Sequence, residues 1–277
     1  MVSLTIKHLQ TPEISVVMLT YKRANIVPNA IESILNQTYK DFEFIIINDG
    51  SPDNTDDVIK KYLQKDKRIR YYKNPTNKGI TYSRNKAFSL AKGNYIAIMD
   101  DDDISLPQRL EKQISFLKKN PNIDILAGQI KHLPRIPSAH DEIATGLILY
   151  NNVGNANIMY KKSFANHHHI TYNEKLIVSE DWEYWLKMLF SGAQFASIPD
   201  DILERNGASE KHYKASSYEE GNPAIRSYIG KFISSSDDAN NFYQATPCQK
   251  IMQISTLNIF SKEYVKNLLQ SNNCPAY

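Results

Sequence analysis

Continuous apolar runs alternate with segments of helical spacing along the first half of the chain. Ile14 to Leu19 reads as a buried strand, followed by a helix over Ile26 to Leu35, with apolar positions at Ile26, Val27, Ala30, Ile31, Ile34 and Leu35. Phe42 to Ile47 predicts a second strand, Asn54 to Leu63 a second helix, and Arg68 to Tyr72 a short third strand. A third helix is expected over Thr81 to Ala91, with Gly93 as its C-terminal stop, then a fourth strand over Tyr95 to Met99 and a fourth helix over Pro107 to Lys119. Strands apolar on both faces and alternating with helices imply an α/β fold with a mostly parallel sheet covered on both sides. Ligands of such sheets bind beyond the carboxyl ends of the strands.

That rule brings three polar clusters to one edge: Thr20-Tyr21-Lys22-Arg23, Asn48-Asp49-Gly50-Ser51, and the run Asp100 to Asp103. Four adjacent carboxylates repel one another, so a cation is the natural partner, and oxygen-only ligands suit Mg²⁺ or Mn²⁺. The alternative is a loop capping the helix near Pro107, with Asp103 or Ser105 as N-cap. Tyr21 offers an aromatic face and Asp49 an acceptor for a ring N–H. An aromatic, an acceptor and a metal together describe a pocket for a nucleotide diphosphate. Each also has a plainer reading, since Asn48 to Ser51 is a turn sequence and Tyr21 could be ordinary packing.

Composition narrows the class without naming a ligand. The 277 residues suffice for a large core, and 33 Lys and Arg against 30 Asp and Glu leave a net charge of +3, which demands no nucleic acid. Cys248 and Cys274 lack metal-type spacing and read as reduced thiols. Met1 to Gln10 has no long apolar core and no run approaches the ~18 residues needed to cross a bilayer. The expected setting is cytoplasmic, at most peripheral to the inner face of the membrane.

The series Ile14-Ser15-Val16-Val17-Met18-Leu19-Thr20-Tyr21, Ile34-Leu35-Asn36-Gln37-Thr38-Tyr39 and Asn48-Asp49-Gly50-Ser51-Pro52-Asp53-Asn54-Thr55 resembles the opening of family 2 glycosyltransferases with the GT-A fold. Asn77-Lys78-Gly79, Ser83-Arg84-Asn85 and Gly93-Asn94-Tyr95-Ile96 continue it in order, and Met99 to Asp103 stands where that family has its DxD motif. The resemblance is dense over 12–130 and returns at Ser179-Glu180-Asp181-Trp182. Leu19 and Lys22 depart from it, standing where many members have Pro and Asn.

The resemblance implies roles. Tyr21 and Asp49 would hold a uracil base, with Thr20 and Arg23 of the same strand end in the donor site. Asp102 would be the direct metal ligand with Asp100 as the second, while Asp100 or Asp101 lies nearer the ribose and Arg84 approaches the diphosphate or base. Asp181, with Glu180 as neighbour and fallback, would be the general base that deprotonates the acceptor hydroxyl. Without the upstream motifs, both acids would read as first-turn residues favourable to the helix dipole. The implied layout is a nucleotide-sugar-binding half over 1–130, an acceptor-binding half over 131–215 and a helical extension over 216–277. The implied activity is inverting transfer from a UDP-hexose or UDP-N-acetylhexosamine to a glycan or lipid-linked acceptor.

Two further readings come from other classes. A non-catalytic nucleotide-sugar-binding domain would keep the fold but need no base. A nucleotidyltransferase would show a glycine- and basic-rich loop after the first strand, and Thr20 to Asn25 contains no glycine. His167-His168-His169 reads as surface loop, Trp182 and Trp185 as core residues of a helix ending before Gly192, and Arg205 and His212 as parts of a late segment near the donor.

Overall fold

The computed structural model describes residues 11–149, 151–205, 249–250, 257 and 259–272. The elements are β1 (Ile14–Thr20), α1 (Val27–Leu35), β2 (Phe42–Asn48), α2 (Thr55–Lys65), β3 (Ile69–Lys73), α3 (Ile80–Leu90), β4 (Tyr95–Met99), β5 (Asp103–Ser105), α4 (Arg109–Lys119), β6 (Ile125–Ile130), α5 (His140–Leu149), β7 (Ile158–Lys161), α6 (Lys162–His167), α7 (Glu180–Phe190), β8 (Phe195–Arg205) and α8 (Lys262–Ser271). They include every strand and helix expected over the first 119 residues, with boundaries shifted by one or two residues. His212 and both cysteines lie outside the described residues, as does most of 216–277.

One eight-stranded sheet runs in the order β3-β2-β1-β4-β7-β6-β8-β5. The first four strands are parallel in register, Val16 opposite Phe44 and Ala97. β7 enters antiparallel between β4 and β6, β8 runs parallel to β6, and β5 pairs antiparallel with β8. The sheet is therefore mixed across its second half. Its two faces bury separate cores because side chains alternate along each strand. Val16, Met18, Ile46 and Met99 pack with Ala30, Ile31 and Ile34 of α1 and Leu110 and Ile114 of α4. Val17, Ile45, Ile47 and Ile98 pack on the opposite face with Ala87 of α3, Leu147 of α5 and Trp185 of α7.

Trp182 and Trp185 are 2% and 0% exposed, in keeping with the core reading, and α7 ends as expected at Gly192. There φ is +93°, Gly192 N–H bonds Leu189 O at 2.9 Å and Ala193 N–H bonds Met188 O at 3.1 Å, the paired bonds of a Schellman stop. Gly93 serves a different end from the one expected. α3 closes on extended Ala91, and a Cβ on Gly93 would lie 2.5 Å from Ser15 N, so the glycine permits close passage beside the start of β1. The N-cap alternative for Asp103 or Ser105 also fails. Both lie in β5, and α4 begins after Gln108 with no side-chain cap.

Candidate active site

The loops beyond β1 and β2 are stitched together by side chains that the sequence supplies locally. Asp49 N–H donates to Thr20 O at 2.9 Å, Lys22 N–H to Ser51 Oγ at 3.0 Å and Arg23 N–H to Thr55 Oγ1 at 3.0 Å. Asn48 Oδ1 accepts from Ser51 N–H at 2.9 Å, making the expected turn. Gly50 sits at φ +73° with Thr76 C 2.5 Å from where a Cβ would be. Gly50→Ala is therefore expected to cost on the order of 2 to 3 kcal/mol in chemical denaturation, from left-handed backbone strain plus a backbone clash.

A cleft of about 330 Å³ opens between these loops and the start of α3, lined by Thr20, Tyr21, Arg23, Asp49, Gly79 and Asp101 among others. Tyr21 is 36% exposed, an open ring on the cleft wall. Asp49 is buried, and its Oδ1 accepts from Asn74 Nδ2 at 2.7 Å and Lys78 N–H at 2.9 Å while Oδ2 accepts from Gly79 N–H at 2.8 Å. Oδ2 keeps a second lone pair for one more donor. Asp49 is thus both a turn residue and the anchor of the Asn77 to Gly79 loop.

The aspartate run divides in two. Asp103 enters β5 and is 3% exposed, opposite Arg205 in register. Its burial, reinforced by Asp100 and Asp102 and opposed by Arg205 and Arg109, raises its carboxyl to about 7. Asp101 lines the cleft, while Asp102 is held beside it by Arg23 and Asp100 turns to Arg84. Arg23 shares their charge, with Nε 3.7 Å from Asp101 and Nη2 3.6 Å from Asp102. Burial also lifts Asp101 to about 7, with Thr20 and Arg23 pulling it down and Asp102 and Asp100 pushing it up. Asp100 is raised by burial and Asp102 against the pull of Arg84.

Crowded carboxylates that resist ionising fit a hard divalent cation, whose charge would relieve them. Among the described residues no three His, Cys, Asp or Glu side chains form a ready-made cage. That agrees with how Mg²⁺ and Mn²⁺ are usually held, by one or two carboxylates with substrate phosphates completing the shell. Asp100 and Asp102 are the residues that would hold such an ion.

Arg84 joins this cluster to the second acidic pair. The side chain is 6% exposed, 3.6 Å from Asp100 and 3.1 Å from Glu180. Tyr172 lies under its guanidinium at 5.2 Å, and Asn155, with its amide oxygen turned toward it, accepts from Nη1 at 2.8 Å and Nη2 at 2.5 Å. Glu180 and Asp181 open α7 after Ser179, a non-glycine residue at φ +58°. Burial and the neighbouring Glu180 push Asp181 up to about 6, against the pull of Arg84 and a 2.7 Å bond from Trp182 N–H. Glu180 is thus paired with Arg84, while Asp181 is the carboxyl of the pair that burial raises.

The model of "Glycosyl transferase family 2" matches residues 15–178. An uncharacterized glycosyltransferase of Methanocaldococcus jannaschii is 35% identical over 223 residues, 74% of each chain. The chain belongs to glycosyl transferase family 2. The Escherichia coli UDP-Glc:alpha-D-GlcNAc-diphosphoundecaprenol beta-1,3-glucosyltransferase WfgD is 30% identical over 182 residues, 64% of this chain and 69% of that one. S. aureus TarS 1-349 in complex with UDP-GlcNAc shares the fold at TM-score 0.63 and 16% identity, over 94% of this chain and 71% of that one. The mannosyltransferase PcManGT from Pyrobaculum calidifontis, in complex with GDP-Man and Mn2+, does so at TM-score 0.61 and 12% identity, over 96% and 80%. This family 2 protein is accordingly a glycosyltransferase with the GT-A-like fold.

The structure gathers Thr20, Tyr21, Arg23, Asp49 and Asp101 around one cleft and links Asp100 and Glu180 through Arg84. The His167 to His169 tract is exposed, away from this edge at the end of α6. Sequence reasoning passed over Asn74, Asn155 and Tyr172. Gly79, at φ +89°, carried a signal in the Asn77-Lys78-Gly79 motif, but nothing local marks Asn155 or Tyr172 as partners of Arg84.

Proposed function

We propose that the chain is a metal-dependent, inverting transferase that moves a hexose or N-acetylhexosamine from UDP to a hydroxyl of a lipid-linked saccharide. The observation that carries this reading is the single edge on which the Asp49 cleft, the Asp100 to Asp102 carboxylates and the Glu180-Asp181 pair converge through Arg84. WfgD and the UDP-GlcNAc complex of TarS lend support by the UDP donors in their names, and PcManGT, whose donor is GDP-Man, by its Mn2+. Tyr21 stacks on the base and Asp49 Oδ2 accepts its N3–H. Asp102 and Asp100 would hold Mn²⁺ or Mg²⁺, which would supply charge stabilisation to the departing diphosphate. Asp181 takes the proton of the acceptor hydroxyl as its oxygen bonds C1, and the C1–O bond to the diphosphate breaks with its electron pair leaving on UDP. Attack from the face opposite the leaving group inverts C1, which NMR coupling of the product reads directly.

The lipid-linked acceptor has a separate support. All six exposed large hydrophobic side chains among the described residues, Tyr21, Ile80, Tyr82, Leu133, Ile177 and Val178, lie in loops or a first helical turn at this same edge. Ile177 is 88% exposed and two residues from Ser179. Among the described residues no helix is long and apolar enough to cross a membrane, so contact with lipid would fall to this rim, at the inner face of the membrane.

Screening the purified protein with a panel of UDP-sugars for UDP release, with and without metal, tests the function as a whole. Absence of metal-dependent release with every donor would remove it. The base assignment has its own measurement. Cytosine presents a lone pair at N3 to the Asp49 carboxylate, and leaving both unpaired costs ~1 to 3 kcal/mol. UDP should therefore outcompete CDP by roughly 5- to 150-fold, and Asp49→Ala should shrink that ratio. Equal binding of CDP would reduce Asp49 to its turn role.

A further inference from the structure

Arg23 and Arg84 both form ion pairs with the run Asp100 to Asp102, and they are held in opposite ways. The Arg84 side chain is 6% exposed, with Asn155 bonded to both Nη atoms and Glu180 at 3.1 Å. The Arg23 side chain is 30% exposed, and its guanidinium stands 3.7 Å from Asp101 Oδ1 and 3.6 Å from Asp102 Oδ2. Charge-assisted hydrogen bonds of this type close to about 2.7 to 2.9 Å, so Arg23 neutralises the two acids without being bonded tightly to either.

Its backbone, by contrast, is fixed. Arg23 N–H donates to Thr55 Oγ1 at 3.0 Å, and Arg23 O accepts from Ile26 N–H and Val27 N–H at 2.9 Å each. The guanidinium is a loosely held charge on a rigid base. Neighbouring Lys22 is turned elsewhere, with Nζ over the Tyr21 ring at 5.1 Å.

The oxygens that Arg23 faces define its conflict. Asp102 is the carboxylate to which the reading above gives a divalent ion, and an ion there would stand as a like charge a few ångströms from the guanidinium. Against a doubly charged ion that repulsion is twice that between unit charges. Arg23 also lines the 330 Å³ cleft with Tyr21 and Asp49. A guanidinium withdrawn from Asp102 therefore stays beside the path which that reading gives the diphosphate, a group that arginine matches well.

We propose that Arg23 is an internal counter-cation, which neutralises Asp101 and Asp102 while the cleft is empty and yields Asp102 to the metal when a diphosphate arrives to receive its guanidinium. The proposal rests on the metal and donor reading above and adds a control on loading. Metal alone is held weakly and metal with nucleoside diphosphate tightly, because one side chain opposes the first and assists the second.

The test measures Mn²⁺ binding to the full-length protein by EPR of the free ion, with and without UDP, in the wild type, Arg23→Gln and Arg23→Lys. Arg23→Gln should bind Mn²⁺ alone roughly tenfold more tightly through loss of the like charge. It should bind UDP in saturating Mn²⁺ roughly tenfold more weakly through loss of the diphosphate's cation. Arg23→Lys keeps the charge and should follow the wild type in binding Mn²⁺ alone. Metal-free Arg23→Gln should also melt below the wild type, and saturating Mn²⁺ should close the gap. Unchanged or weaker Mn²⁺ binding by Arg23→Gln, unchanged UDP affinity, equal tightening in Arg23→Lys, or a melting deficit that Mn²⁺ leaves in place would each overturn the proposal. A wild-type protein that binds no Mn²⁺ even with UDP would count against the metal reading itself. Arg23→Gln then decides the counter-cation separately, since it should bind Mn²⁺ where the wild type does not, and its failure to do so would end the proposal too.

Discussion

Asp181→Asn is expected to remove sugar transfer, lowering kcat by ~10²- to 10⁴-fold, while UDP and metal bind as before. The asymmetry follows from position, since the base acts on the acceptor and touches neither diphosphate nor metal. The pH profile carries the finer test. Burial and Glu180 lift the Asp181 carboxyl to about 6, and only the ionised form accepts a proton. Therefore kcat/KM should be flat above about 6 and fall about tenfold per pH unit below it. Glu180→Gln removes a neighbouring negative charge and releases Arg84, 3.1 Å away, from its partner. Both changes favour ionised Asp181, so the acid limb should move to lower pH. A profile without an acid limb, or an Asp181→Asn enzyme working at the normal rate, would return the role to Glu180.

Chelation should be nearly as severe on the donor side. Excess EDTA, or Asp102→Asn in the presence of Mn²⁺, is expected to weaken UDP binding on the order of 100-fold, about 2.8 kcal/mol, as read by calorimetry. Equal affinity with and without EDTA would end the metal role. A thermal signature accompanies it. Burial raises Asp101 and Asp103 to about 7 in the folded protein, against 3.8 for an ordinary aspartate, so the folded state holds protons that the unfolded chain has released. Stability from these two groups is fully present below about pH 4 and declines as pH rises through 7. A cation binding the ionised run offsets that loss, so the rise in Tm on adding Mn²⁺ should be larger at pH 8 than at pH 5.

The first half of the fold is legible because its signals are local. β1 and β2 are buried on both faces, so their apolar runs carry the pattern of a doubly covered sheet without ambiguity. β5 is another matter. Asp103-Ile104-Ser105 is three residues long and polar at both ends, and it exists because β8 offers it a partner from across the chain. That long-range pairing withdraws Asp103 from the cleft, a fact no inspection of four identical aspartates could provide. Gly93 shows the same limit, since a stop signal and a close backbone approach both call for glycine. The cleft-lining residues at strand ends follow from the edge rule, whereas Glu180-Asp181 stand out only by the family resemblance, since the helix they start reads equally as a dipole-favoured first turn. Asn155 and Tyr172 do neither, because they reach Arg84 of α3 from two different loops, the one before β7 and the one before α7, by contacts distant in the chain.

Arg84 has one guanidinium and two carboxylate neighbours, Asp100 toward the donor and Glu180 toward the base. Whatever draws Asp100 toward an arriving cation and diphosphate changes the hold on Glu180, and with it the field at Asp181. Under the proposed roles, donor and acceptor binding would then be energetically linked, each altering the affinity of the other by the same factor. An enzyme wired in this way would tune its proton acceptor according to whether a sugar nucleotide is in place. Its everyday benefit would be thrift, because water reaching an unprimed base finds no activated sugar to destroy.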